Sequence, residues 1–322
     1  AGLFAMAFAA SLVHCLLALL FASSVFRRED VLVSDSGDIA QLFHPVLPGR
    51  TSPSARASVY IFGFVFMLIY YLGSFFQNNS RWSLVTGLAL IQVFIILSPP
   101  LLYLLFYRYR LVATLDLQWQ KIRLANLVML PVLTLCVLVF VLKYSLVQNM
   151  LFPMPVEMDK LFLGFFDVAP VWWVFVVLSL FAGFCEEILF RGVIQNGLRT
   201  RLGPWGALII TALMFGFFHL TPYKMVTTAL LGLWLGTIYQ ITGSLWMSMY
   251  THAFVNALAG VVLYTGYKAG GEEVARVAAQ PDIPLSIVFG AMLVFAVLFA
   301  KFRKLNAEAN CPAVDYTVPP LL

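Results

Sequence analysis

Apolar stretches about as long as a bilayer is thick dominate the chain. A spanning helix needs about 20 mainly apolar residues, within a range of roughly 17–25. Nine stretches meet that requirement, near 3–26, 58–76, 83–106, 125–147, 171–198, 204–220, 224–242, 244–266 and 284–300. The pattern predicts an all-α fold, a polytopic transmembrane helix bundle of eight to nine spanning helices. The first stretch carries no charge, starts at an alanine and ends sharply at Arg27-Arg28-Glu29-Asp30, as expected of a chain processed or cut from something longer. It lacks the basic n-region of a signal peptide. Residues 29–57 are polar and contain Pro, Gly and Ser, the pattern of an exposed loop.

Two places interrupt the alternation of spans and short loops. Pro99-Pro100 lies inside the third stretch and is expected to kink or end that helix, because each proline removes a backbone donor. Residues 107–124 place Leu111, Leu115, Trp119 and Ile122 at helical spacing, with Arg108, Arg110, Lys121 and Arg123 between them. That pattern predicts an amphipathic helix lying on the bilayer surface. An ordinary soluble loop is the competing reading.

Composition sharpens the class. Hydrophobic residues make up 61% of the 322 positions and charged residues only 11%. A soluble domain carries about 25% charged residues. The chain is therefore neither a soluble enzyme, nor an intrinsically disordered protein, nor a nucleic-acid-binding domain. The net charge of +5 comes from basic residues scattered between apolar runs, not from one patch. Most of the 20 Lys and Arg fall in alternate loops: Arg27, Arg28, Arg50 and Arg56, then Arg108 to Arg123, then Arg191 to Arg201, then Lys301 to Lys304. This bias puts the C-terminus and the loop after the fifth span in the cytoplasm, and it is the ground for expecting a bacterial inner membrane. The four cysteines, Cys15, Cys136, Cys185 and Cys311, are too scattered for a disulfide framework or a zinc knuckle.

Ionisable residues inside spans cost roughly 2.5–3.5 kcal/mol each at mid-helix. One region accepts that cost repeatedly. The fifth stretch runs into Cys185-Glu186-Glu187-Ile188-Leu189-Phe190-Arg191, the sixth ends in Phe215-Gly216-Phe217-Phe218-His219, and the eighth carries His252-Ala253-Phe254-Val255-Asn256. At about 1.5 Å of rise per residue, Glu186, His219, His252 and Asn256 reach overlapping depths. Glu187 and Arg191 are i,i+4 and can pair on one face. Glu186 is turned about 100° away from Glu187 and can point elsewhere. His252 and Asn256 are also i,i+4 and share a side. A carboxylate near a histidine can activate water, and a histidine with an amide donor can stabilise an oxyanion. The constellation suits hydrolysis of a peptide bond.

Glu-Glu-x-x-x-Arg, Phe-x-x-x-His and His-x-x-x-Asn, in that order on successive hydrophobic helices, resemble the CAAX protease and bacteriocin-processing family. This family includes the Ras-converting CaaX endopeptidase. The resemblance covers about residues 171–264 and implies an intramembrane glutamate endopeptidase with a cavity open to the cytoplasmic side. Glu186 and His219 match the pair that activates water, and His252 and Asn256 match the oxyanion-binding pair. Glu187 and Arg191 match the supporting carboxylate and its ion partner. The resemblance also implies a membrane-associated protein or peptide as substrate and favours a metal-free mechanism without a cofactor, while composition excludes a nucleic-acid partner. The chain then divides into an N-terminal span and polar loop (1–57), transmembrane helices (58–150), a protease core (151–267) and a last span with its tail (268–322).

Other readings attach to the same residues. Glu186, Glu187 and Arg191 could be a structural ion cluster, although one carboxylate would neutralise the arginine. Either histidine alone fits a core residue bonded to backbone, as do His14 and His44. Cys185 fits packing better than nucleophilic catalysis. Gly232 and Gly236 form a small-xxx-small face for close helix packing. Trp172 and Trp173 look like interfacial anchors, and Phe215 is expected to pack behind His219. A glutamate with two histidines could ligate zinc, but no His-Glu-x-x-His helix is present. A non-catalytic scaffold or immunity-type protein would use the same residues structurally. A transporter would use them as a proton relay within inverted repeats, which are not apparent.

Overall fold

The computed structural model describes residues 52–77, 83–151, 153, 155–221 and 223–310. Every regular element among them is helical. The first predicted span, most of the 29–57 loop, His14, His44, Cys15 and Cys311 lie outside the described residues. Helix α1 is Ala55–Gln77, α2 runs Leu84–Phe106, α3 is Leu124–Leu151 and α4 is Val156–Val168. A run of 48 residues, Val171–Phe218, follows. Gly203 breaks it with φ 67°, so that α5 covers 171–202 and α6 covers 204–218. Helix α7 is Met225–Thr242, α8 is Leu245–Ala279 with a break at Gly270-Gly271, where Gly271 has φ 73°, and α9 is Leu285–Asn310.

Six runs among the described residues are long and apolar enough to cross a membrane: α1, α2, α3, the α5–α6 run, α7 and α9. The chain is an integral membrane protein on that ground, and these six runs do not confirm the count of eight to nine spans, because the first stretch lies outside the described residues. Two further reasons lie in the sequence. The fifth and sixth stretches count as one continuous run, although Gly203 separates α5 from α6. Helix α8, the expected eighth span, carries Ser248, Thr251, His252 and Asn256 and is not among the six.

Three local expectations change. Residues 107–124 do not form one amphipathic helix. They form a loop with short helical turns at Leu111–Thr114 and Trp119–Lys121. Arg108 and Asp116 adopt φ of 55° and 52°, which ends any helix there. Hydrophobic residues at helical spacing belong to the loop because Leu115 is buried in the core, while Asp116 accepts from Tyr239 at 2.7 Å and from Lys121 at 2.6 Å. Pro99 and Pro100 do not end α2. They sit at the start of the α-helical part Ser98–Phe106, just after the π-helical turns of Ile91–Leu97, where their missing N–H groups are tolerated. Residues 156–168, assigned no element from sequence, form α4.

Hydrogen bonds between distant segments define two ends of the bundle. At one end Arg123 donates to the Leu305 carbonyl at 2.5 Å, Asn126 pairs with Asn306 at 2.9 Å, and Leu245 N–H donates to Asp116 O at 3.1 Å. Asn196 donates to Thr114 O at the same end, at 2.9 Å. At the other end Gln148 donates to the Tyr223 carbonyl, Asn149 to Gln280 at 3.1 Å, and Lys143 pairs with Asp282 at 2.8 Å. Tyr267 donates to Asp167 there at 3.1 Å.

Candidate functional site

Helix α5, which holds the charged residues, changes pitch twice. Residues Val176–Phe181 and Ile188–Gln195 are π-helical, and the short α-helical piece Ala182–Glu187 between them carries both glutamates. Together with Ile91–Leu97 of α2, these turns supply Gln92, Leu178 and Arg191 to the site. Widened turns of this kind occur often at functional sites, where they re-aim side chains.

Close packing brings α8 against this piece. A Cβ on Gly183 would stand 3.0 Å from the Ala253 backbone nitrogen and 3.1 Å from the Met249 carbonyl, so only glycine admits this approach without displacement. On α7, Gly232 and Gly236 make close contact, as their spacing predicts: Gly232 faces Phe215, and Gly236 faces Gln195 and Leu208. Their carbonyls also receive Arg191 Nη2 at 2.8 Å and Gln195 Nε2 at 3.1 Å. One helical turn separates the two donors and one separates the two acceptors.

The two glutamates do point apart. Glu187 is fully buried and takes three donors. Arg191 Nη1 reaches its Oε1 at 2.7 Å, His252 Nδ1 reaches the same oxygen at 2.8 Å, and Ser248 Oγ donates to Oε2 at 2.6 Å. Arg191, also fully buried, lies over the Phe215 ring at 4.8 Å from its centroid. Glu186 turns the other way. Gln92 Nε2 donates to its Oε1 at 2.9 Å, and its Oε2 is buried with no hydrogen-bond partner among the described residues.

Glu186, His219, His252 and Asn256 all line one cavity of about 90 Å³, with Phe215, Thr228, Leu231, Leu235 and Val255. His219 Nδ1 stands 2.8 Å from the Phe215 carbonyl. A carbonyl only accepts, so Nδ1 carries the proton and the neutral ring keeps its lone pair on Nε2. The same reasoning applies to His252, whose Nδ1 faces a carboxylate. Its Nε2 is an acceptor in the neutral ring and a donor when both nitrogens carry protons. Asn256 spends one N–H on the Leu178 carbonyl at 2.9 Å and keeps the second. Phe215 contacts both imidazoles edge to face, at 4.9 Å for His219 and 5.8 Å for His252.

Glu187 and Arg191 are not cavity residues; they stand behind His252. Sequence reasoning missed Gln92 and Ser248. Gln92 is a lone amide in an apolar span, and Ser248 precedes His252 by one turn on the same helix face. Trp173 bonds Thr86 at 3.3 Å, whereas Trp172 is exposed, as an interfacial side chain would be. Cys185 is buried in the main apolar cluster. Among the described residues no group of three His, Cys, Asp or Glu side chains could hold a metal ion.

Burial falls along all three helices that wall the cavity, in one direction. On α6, Phe215 is buried and His219 exposed; on α7, Leu235 is buried while Leu231 and Thr228 are partly exposed; on α8, His252 is buried and Asn256 partly exposed. The cavity therefore opens toward residues 219–221, at the end where Gln148 meets Tyr223. Leu220 there adopts φ 52°, a conformation that costs a non-glycine residue about 1–2 kcal/mol.

Comparison with known proteins meets this geometry at the same residues. Residues 168–258 match the family model described as "Type II CAAX prenyl endopeptidase Rce1-like". A similar protein, the "Uncharacterized protein YpbD" of Bacillus subtilis (strain 168), is 38% identical over 84 residues, which cover 26% of this chain and 42% of that protein. No solved structure matches. The resemblance to the CAAX protease and bacteriocin-processing family thus holds over residues 168–258, a segment that contains the glutamate pair, Arg191, both histidines and Asn256.

Proposed function

We propose that the chain is an intramembrane endopeptidase that hydrolyses a peptide bond of a membrane-associated protein or peptide with a side-chain-activated water. The observation that carries this reading is the shared cavity of Glu186, His219, His252 and Asn256. Glu186, the cavity carboxylate, with the Nε2 lone pair of His219, takes a proton from water as its oxygen attacks the carbonyl carbon. The carbonyl oxygen becomes an oxyanion and accepts hydrogen bonds from Asn256 Nδ2–H and from doubly protonated His252. Collapse breaks the C–N bond, and the proton held at Glu186 passes to the leaving amine. Glu187 serves as the counter-charge behind His252 and is itself held by Arg191 and Ser248.

The cavity volume suits the chemistry. About 90 Å³ admits a peptide group or a few waters, each of which takes about 30 Å³ in the liquid. The family match supports a membrane endopeptidase as the class of activity. The loops rich in basic residues support a cytoplasmic C-terminal end, and the Bacillus subtilis relative supports a bacterial membrane.

The test replaces the cavity residues singly, as His219→Ala, His252→Ala and Asn256→Ala, in purified protein. Membrane proteins from cells with active chain and with each variant are then compared for new termini. Cleavage should fall by about 10²–10⁴-fold for the general-base partner and about 10²–10³-fold for an oxyanion donor. Termini that persist unchanged in all three variants would sink the assignment.

A further inference from the structure

We propose that the end of α2 and the start of the following loop bind one anionic phospholipid. Its acyl chain lies along an aromatic cleft, and its headgroup phosphate sits between Arg108 and Arg110. The site is separate from the cavity and from the matched segment, so it does not depend on the endopeptidase reading.

The span α2 ends at Phe106, so residues 102–107 lie where hydrocarbon gives way to headgroups. Leu102, Tyr103, Leu105, Phe106 and Tyr107 line a cleft there of about 510 Å³. That falls within the roughly 300–1,000 Å³ of small-molecule sites. Leu102, Leu105 and Phe106 are exposed. The hydroxyls of Tyr103 and Tyr109 stand 3.4 Å apart and give the apolar wall a polar edge. Tyrosine is enriched at that depth of the bilayer.

Positive charge adjoins the cleft. Arg108 and Arg110 are exposed, and among the described residues neither has an ion-pair partner. Asp116 is the only acidic residue between Asp38 and Glu157, and Lys121 and Tyr239 engage both its oxygens. The backbone holds Arg108 in an unusual place. Its N–H donates to the Leu105 carbonyl at 3.0 Å and the Tyr109 N–H to the Leu104 carbonyl at 2.9 Å, the pattern that closes a helix through a left-handed residue. Glycine is the usual occupant of that position, yet an arginine takes it with φ 55°.

The loop beyond Arg110 is anchored, which pre-organises the pair. Leu115 packs on Gly192, the Thr114 carbonyl accepts from Asn196 at 2.9 Å, and Trp246 Nε1 donates to the Leu117 carbonyl at 3.0 Å. A site ordered beforehand loses less on binding. Two guanidiniums beside an apolar cleft at the bilayer surface match a ligand with one phosphate and a hydrocarbon tail, since guanidinium binds phosphate through paired hydrogen bonds. A zwitterionic lipid brings its own cation to the same place and is disfavoured.

The test titrates the purified full chain in detergent with dioleoyl phosphatidylglycerol or dioleoyl phosphatidylcholine, and native mass spectrometry counts the bound lipid. Each basic side chain near an anionic surface contributes about fivefold, so the anionic lipid should be preferred by about 25-fold. Arg108→Asn with Arg110→Gln should abolish the preference; asparagine tolerates the left-handed backbone. If that double variant fails to accumulate, Arg110→Gln alone should lose about fivefold. Arg201→Gln with Lys304→Gln, exposed cations of other segments, should leave the preference intact. Equal binding of the two lipids by the wild-type chain overturns the proposal, as does an equal loss in the Arg201/Lys304 variant. Displacement of the lipid by an equal concentration of inorganic phosphate also overturns it, because the cleft then contributes nothing.

Discussion

Replacing Arg191 by methionine isolates what the buried ion pair contributes. Methionine keeps most of the volume and loses the charge. The guanidinium makes a 2.7 Å bond to Glu187, a 2.8 Å bond to the Gly232 carbonyl and a contact over Phe215 at 4.8 Å. Hydrogen bonds to charged groups contribute about 1.5–3 kcal/mol each, and a desolvated cation–π contact contributes about 2 kcal/mol. The desolvation of the ions offsets much of that sum. Removing one partner of a buried pair costs about 3–5 kcal/mol, because the other charge is stranded. Arg191→Met should therefore destabilise the chain by about that amount in denaturant unfolding in detergent micelles. The double variant Arg191→Met/Glu187→Gln should be less destabilised than the two single effects predict, with a coupling of about 0.5–3 kcal/mol. It should still cleave poorly, since His252 has lost its counter-charge. An Arg191→Met variant that unfolds within about 0.5 kcal/mol of wild type, the range of a surface change, would refute the ion-pair account.

Three further outcomes follow from single contacts. Ser248→Ala deletes the 2.6 Å bond to Glu187 Oε2 and should cost about 1–3 kcal/mol of stability in the same unfolding assay. Gln92→Leu leaves Glu186 Oε1 without its donor; kcat should fall about tenfold or more with little change in KM, a split that steady-state kinetics reads directly. Gly183→Ala pushes a methyl against the backbone of α8, where no flexible side chain can yield. It should cost about 1–3 kcal/mol and lower cleavage more than the same loss of stability does at a position remote from the site.

The motif residues were legible because each is expensive in an apolar span and because helical spacing alone turns Glu186 away from Glu187 and aligns His252 with Asn256. Partners contributed by other helices were not legible. Gln92 lies 94 positions from Glu186, and its aim depends on π-helical turns that a 3.6-residue period does not describe. Helical spacing also misled at 107–124, where Leu115 is buried by a folded loop and two left-handed residues break the helix. Helix α8 shows a related limit: the polar residues that give it chemistry are those that lower its resemblance to a span.

Glu186→Gln tests the central claim most directly. The substitution keeps the side-chain shape but removes the group that accepts the proton from water. Wild-type and variant protein, purified in the same detergent and matched for elution and unfolding midpoint, are compared on a peptide substrate found by the terminus comparison. The proposed mechanism predicts a loss of cleavage of at least about 10²-fold with folding intact. Cleavage by folded Glu186→Gln at the wild-type rate would contradict it.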